Sequence, residues 1–230
     1  MAQQTTTLRA ASDVRFNRFL ALVYLVMAFG LGVTALVSSW TISNEDLMRR
    51  ILFDSWFVWG LFILQLIVVG VLSAAVLRMS PAAALLLFVV YAALTGVSIS
   101  AIFIYYSQSQ VSYAFWMAAG MFLFSSVVGL LIRRDLSGAA QFLMLALMGW
   151  IFGYFISWFF PLSTGFNQLV NFSGILLFAG LTVWDTQRLK QLSAQLEGRH
   201  GMGGMVVVGA LALYLDFINL FLLLLRASRR

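Results

Sequence analysis

Asp216 is the residue of this chain that is hardest to place, because it sits inside LALYLDFINLFLLLL (211–225) with apolar sequence on both sides. A carboxylate at the centre of a bilayer costs at least ~2.5–3.5 kcal/mol, so it must face a bundle interior or a wet cavity and find a partner. Gly209, Ala212, Asp216 and Asn219 follow a 3-4-3 spacing. That spacing predicts one helix face of small and polar groups on the packed side, with leucine and phenylalanine covering the rest. The plainer reading of Asp216 is a structural carboxylate that hydrogen-bonds neighbouring helices.

Asp185 stands in LTVWDTQRLK (181–190), at the expected end of an apolar run. It reads either as a solvated acid pairing with Arg188, a contact of little energetic weight when exposed, or as a partner for Asp216 across two antiparallel helices. Two carboxyls within hydrogen-bond reach resist ionising together in a low-dielectric site and titrate as one coupled unit. Arg78, in VLRMSP (76–81), is either an ordinary basic anchor at a membrane edge or a cation that assists the acids. Tyr91, Thr95 and Ser98 fall on one helical face and offer polar lining, although such residues also pack helices.

The elements that must hold these residues follow from composition. Of 230 residues, 62% are hydrophobic and 10% charged, against about a quarter charged in a soluble domain. Apolar runs at 17–39, 56–77, 81–105, 112–132, 138–160, 167–185 and 205–225 each suffice to cross about 30 Å of hydrocarbon. Lipid offers no hydrogen-bonding partners, so these runs must be helices. The fold class is therefore an all-α membrane protein with a seven-transmembrane helical bundle, residues 16–230, preceded by a polar N-terminal segment, 1–15. The first apolar run is too long for a signal-peptide core and is expected to remain as a span. Pro81 belongs in a first helical turn and Pro161 beyond a helix end. The stretch 186–204 is expected to be a flexible loop or a short surface helix, with Gly201-Met202-Gly203-Gly204 as a hinge.

With seven crossings, Arg9, Arg15, Arg18, Arg78, Arg133, Arg134, Arg188, Lys190 and Arg199 share one side, and Arg49, Arg50, Arg226, Arg229 and Arg230 the other. The more basic side is cytoplasmic by the positive-inside rule, which places the N-terminus there. A last segment that dipped and returned would move the terminal arginines to the same side. Full crossing is favoured, because 205–225 is long enough. Trp40, Trp56, Trp59, Trp116 and Trp158 fall at the opposite ends of the spans, as an interfacial belt.

The net charge of +6 reads as orientation signals and contacts with anionic lipid, not as nucleic-acid binding. With no cysteine, and with His200 the single histidine, in a polar loop, thiolate chemistry and multi-histidine metal centres are excluded. No span contains a histidine base and no glycine loop cradles phosphate, so no enzyme and no cofactor are expected.

Residues 211–221, LALYLDFINLF, closely resemble the C-terminal signature of the Bax inhibitor-1 family, also called the transmembrane Bax inhibitor motif family. GLTVWDTQRLK (180–190) is similar to its sixth-span motif, YAALTG (91–96) with Ser98 to its third span, and RRDLSG (133–138) to a turn common in its bacterial branch. The resemblance covers the chain from about residue 16.

It implies seven helices with the last one central, and two buried aspartates, here Asp185 and Asp216, that share protons and gate an opening on the cytosolic side. An arginine, here Arg78, would assist. It further implies a pH-sensitive calcium leak in the inner (plasma) membrane, with calcium as permeant ion held weakly and transiently at Asp185 and Asp216, and Asn219 contributing. The alternative it carries is a non-conducting regulator of the stress response or of a membrane-bound AAA protease. Two departures are visible: the second span has no acid, with Gln65 its main polar group, and the 186–204 stretch is longer than in compact members of the family. A proton-coupled transporter of an organic solute fits less well, since no pair of helices is broken by glycine or proline.

Overall fold

The computed structural model describes the backbone of residues 2–132, 136–160, 163–195 and 202–228, and, of the side chains in those ranges, all but 2–15, 77, 137, 157–159, 194, 195 and 202. Arg133 to Asp135 of the RRDLSG turn, Pro161, His200, Arg229, Arg230 and the side chain of Trp158 therefore lie outside the described residues.

Among the described residues the chain is helical throughout, without a strand: α1 (Ala2–Ile42), α2 (Glu45–Phe53), α3 (Ser55–Ala75), α4 (Pro81–Ile99), α5 (Ile102–Tyr105), α6 (Gln108–Leu131), α7 (Ser137–Phe159), α8 (Thr164–Gln195) and α9 (Met202–Ala227). Seven segments are long and apolar enough to cross a membrane: Phe16–Ile42, Ser55–Ala75, Pro81–Tyr105, Gln108–Leu131, Gly138–Ile156, Thr164–Ser193 and Gly203–Ala227. The last of these is an unbroken 25-residue helix, long enough for a full crossing at 1.5 Å per residue. Leu25, Phe62, Leu86, Phe124, Leu145, Phe152 and many other large apolar side chains are exposed, a surface that suits lipid and not water.

Local chemistry sets several boundaries. Ser80 caps α4, its Oγ accepting from the Ala83 amide at 3.2 Å, and Pro81 occupies the first turn, where its missing N–H costs nothing. Asp54 closes α2 and opens α3, its Oδ1 accepting from the amides of Trp56 (3.0 Å) and Phe57 (3.2 Å). The third span breaks at Ser100 and Ala101 between α4 and α5, where Ser100 Oγ donates to the Val97 carbonyl at 2.7 Å. A side chain that takes a carbonyl from the helical ladder is a recognised cause of such a kink.

The chain divides into two compact units, residues 1–107 with 191–214, and residues 108–190 with 215–230. In the first unit, α1 packs on α4 at Gly96, where an added Cβ would stand 2.7 Å from the Thr34 carbonyl oxygen. Small residues of this kind let helix backbones approach closely in lipid. The same unit buries a hydroxyl knot. Thr34 Oγ1 lies 2.7 Å from Tyr214 Oη, 2.9 Å from the Ala92 carbonyl and 3.0 Å from the Gly30 carbonyl. Carbonyls only accept, so the threonine hydroxyl donates to them and the tyrosine donates to the threonine.

In the second unit, Gly129 of α6 sits directly under the Val183 carbonyl of α8, where no Cβ fits. The C-terminal part of α9 is held by Phe217, edge-on to Phe115 and Phe122 at 5.5 and 5.7 Å between ring centres. Asn171 Nδ2 of α8 donates to the Leu223 carbonyl at 3.0 Å.

Two expectations need correcting. Residues 186–195 are neither a loop nor a separate surface helix: α8 continues to Gln195, so Asp185 lies well inside a helix and not at its end. Residues 186–195 contain neither glycine nor proline, and nothing in them stops a helix. Nor is the Gly209, Ala212, Asp216, Asn219 face the one packed side of α9. Gly209 and Asp216 are buried and Ala212 and Asn219 half-buried, while Leu211, Leu213, Leu220, Leu223 and Leu225 on other faces are buried too. Burial therefore runs nearly all round the helix, as an all-round apolar helix requires.

Candidate functional site

Asp216 and Asp185 meet within the second unit. Asp216 is 5% exposed, and its carboxyl interacts by hydrogen bonding with the side chains of Asp185 and Thr182. Asp185 is half-buried one turn beyond Thr182 on α8. One oxygen of Asp216, Oδ2, is buried without a hydrogen-bonding partner among the described residues. An orphaned carboxyl oxygen in an apolar interior is costly as an anion and far cheaper when the pair holds a proton.

The cation acting on Asp185 is Arg188, one turn along the same helix. Arg188 also stacks over Trp184, 5.4 Å from the ring centre, so its guanidinium is steered by both neighbours. Arg78 is exposed, in a short 3-10 turn of the first unit (Val76–Arg78).

The α8 segment that carries Asp185 is anchored beside it. Gln187 is 6% exposed; its Oε1 accepts from the Leu136 amide at 3.1 Å, and its Nε2 donates to the Ile132 carbonyl at 3.3 Å. Lys190 Nζ donates to the Leu130 carbonyl at 3.4 Å, and Thr186 Oγ1 to Ser126 Oγ at 3.4 Å. The Gln187 and Lys190 bonds thus occupy carbonyls at the C-terminal end of α6 and the amide of Leu136, the residue just before α7, groups that a helix end leaves unpaired.

The other predicted residues divide. Asn219 Nδ2 donates to the Leu215 carbonyl of its own helix at 2.8 Å, which commits its amide to the backbone. Tyr91, Thr95 and Ser98 belong to the first unit. Thr95 Oγ1 donates to the Tyr91 carbonyl at 2.9 Å, and Ser98 Oγ accepts from Gln65 Nε2 at 2.8 Å. Thr95 also bonds Tyr214, and the Tyr91 and Tyr214 rings meet edge-on at 6.0 Å. Thr182, Gln187, Thr34 and Tyr214 are the polar residues that sequence reasoning missed. A tyrosine at mid-span needs a partner for its hydroxyl, and that was the signal for Tyr214.

Among the described residues no three His, Cys, Asp or Glu side chains gather as a metal-binding group. Two carboxyls fall well short of the six to eight oxygens that calcium prefers.

Residues 16–228 match the family model described as "Inhibitor of apoptosis-promoting Bax1". The chain is 39% identical over 210 residues to the inner membrane protein YbhL of Escherichia coli (strain K12), covering 90% of this chain and 89% of that protein. It is 40% identical over 207 residues to an uncharacterized protein of Deinococcus radiodurans, covering 90% and 88%. An uncharacterized membrane protein of Streptococcus pyogenes serotype M3 is 36% identical over 221 residues, 95% of each chain. With a family match across nearly its full length and relatives of this similarity, the chain belongs to the Bax inhibitor-1 family of multi-pass membrane proteins.

Proposed function

We propose that this protein is a pH-sensitive calcium (cation) leak pathway of the inner membrane, gated by the Asp185–Asp216 pair. The supporting observation is the buried, unpartnered Oδ2 of Asp216 beside the Asp185 carboxyl. With one proton shared, the two side chains join α8 to α9. When that proton leaves, two negative charges confront each other at low dielectric and push the helices apart. A cation entering the gap meets two carboxyls, enough to attract it and too few to trap it. The reading assigns no catalytic residue. It places Arg78 and the N-terminus on the cytoplasmic side, which the excess of basic residues favours.

The test is calcium uptake into proteoliposomes across a pH series. The wild-type leak should rise with pH through the titration of the pair, while Asp216→Asn and Asp185→Asn should leave a leak that no longer responds to pH. If both variants keep the wild-type profile, the gating role is wrong.

The second reading, a non-conducting regulator of the stress response or of a membrane-bound AAA protease, draws on the close packing of α9, most of whose residues are buried. The aspartates would then serve as helix-to-helix bonds. No flux at any pH, together with co-purification of a membrane protease, would favour it.

A further inference from the structure

The corner between α2 and α3 carries a second polar cluster, built from residues that the aspartate pair does not use. An open cavity of about 500 Å3 is lined by Asp46, Arg49, Arg50, Phe53 and Asp54, a size within the roughly 300–1,000 Å3 of small-molecule sites. Its position is fixed by the chain. α2 has nine residues, about 13 Å at 1.5 Å per residue and too short to cross. It joins the end of one membrane span, Ile42, to the start of the next, Ser55, so it must lie at a membrane boundary.

The apolar surroundings agree. Phe53 is 81% and Trp56 87% exposed, and Trp40 and Trp59 are exposed as well, which is where amphipathic rings meet lipid head groups. The helix has no buried residue of its own. Asn44 caps its start, Oδ1 accepting from the Leu47 amide at 3.0 Å, and Asp54 ends it, its amide donating to the Arg50 carbonyl at 2.9 Å. Both ends of this exposed helix are thereby defined, and its charges are presented from a fixed corner.

The charge pattern distinguishes among head groups. A purely anionic lipid needs basic residues alone, and two carboxylates beside the arginines would oppose it. A choline head group has a quaternary ammonium that cannot donate a hydrogen bond. Phosphoethanolamine has both halves that the cavity complements: a phosphate for planar guanidinium donors and a primary ammonium with three N–H donors for carboxylates. We propose that Asp46, Arg49, Arg50 and Asp54, with Phe53 and Trp56 alongside the acyl region, form a binding site for the head group of a zwitterionic phosphoethanolamine lipid.

The experiment places the full-length chain in mixed membranes of phosphatidylcholine, phosphatidylethanolamine and phosphatidylglycerol, extracts it in mild detergent and counts retained lipids by native mass spectrometry. Wild-type protein should retain phosphatidylethanolamine in preference to both others. Arg49→Ala with Arg50→Ala should lower that retention by about tenfold per arginine, the effect of losing one hydrogen bond to a charged group. Asp46→Asn with Asp54→Asn should keep phosphate binding and lose the preference for phosphatidylethanolamine over phosphatidylglycerol. Asparagine is as good an N-cap as aspartate, so the α2–α3 corner survives the change. No enrichment over phosphatidylcholine, a wild-type preference for phosphatidylglycerol, or full retention in the arginine variant would each overturn the assignment. Residues that merely pair with one another along α2 would give the first of these results.

Discussion

Tyr214 and Thr34 share a buried hydrogen bond of 2.7 Å, and Thr34 passes the chain of donors on to the Ala92 carbonyl at 2.9 Å. One hydroxyl pair thus joins α1, α4 and α9. Tyr214→Phe removes a donor and leaves Thr34 its carbonyl acceptors, a loss of about 1 kcal/mol. Thr34→Val deletes the bonds to Tyr214, Ala92 and Gly30 at once, leaves the tyrosine hydroxyl with Thr95 alone and should cost about 1–3 kcal/mol. Thermal unfolding of the two variants in detergent should therefore show the threonine change to be the worse. The reverse order would mean that Thr95 alone satisfies Tyr214.

Gly129→Ala should be more disruptive than a surface alanine, because the new methyl group would collide with the Val183 backbone, which has no rotamer to yield. Overpacking of this kind costs about 1–3 kcal/mol. Gly120, on the same helix, has open space where a Cβ would stand. Gly120→Ala is the matched control and should be neutral or slightly stabilising. Equal melting temperatures for the two variants would show that α6 and α8 are not in contact at Gly129.

Gln187 separates holding α8 in place from carrying the charge. Gln187→Leu keeps the size of the side chain and deletes both the bond from Leu136 and the bond to Ile132, so the start of α7 is released while Lys190 and Thr186 still tie α6 to α8. The expected result is faster amide hydrogen exchange around Leu136 and a pH profile of calcium leak shifted from wild type, since Asp185 lies two residues away on the same helix. Unchanged exchange at Leu136 would contradict the structural role.

The acids predict a pH response with a definite sign. A pair that shares one proton is neutralised in part at low pH and doubly charged at high pH, so opening should increase with pH. In Asp216→Asn the remaining Asp185 has no like charge to repel it, and the slope should vanish. The doubly substituted protein should behave as either single variant does, because the pair acts as one unit. Additive losses would instead mean two independent sites.

Much of this arrangement can be read from residue order. Ser80-Pro81 announces the start of α4 through cap chemistry, and the mid-span Asp216 announces that its helix is enclosed, because nothing else makes a carboxylate tolerable there. Hydropathy misleads at 186–195: TQRLKQLSAQ is polar enough to resemble a loop, yet it holds no helix breaker and its Gln187 and Lys190 find partners 50 and more residues earlier in the chain. Such long-range bonds leave no local trace. The same limit explains Asn219, whose place on the Asp216 side is visible in the 3-4-3 spacing while its bond back to Leu215 is not.

The final helix supplies Tyr214 to one compact unit and Asp216 to the other, two residues apart. Both interiors therefore wait, during synthesis, for the same late segment to be inserted. Until α9 arrives, Thr34 lacks the tyrosine and Asp185 lacks its fellow acid, so the earlier spans must linger in the bilayer without their last polar partners. A ribosome that stalls before residue 214 would leave neither half finished, and such nascent chains should be unusually attractive to the proteases that clear incomplete membrane proteins.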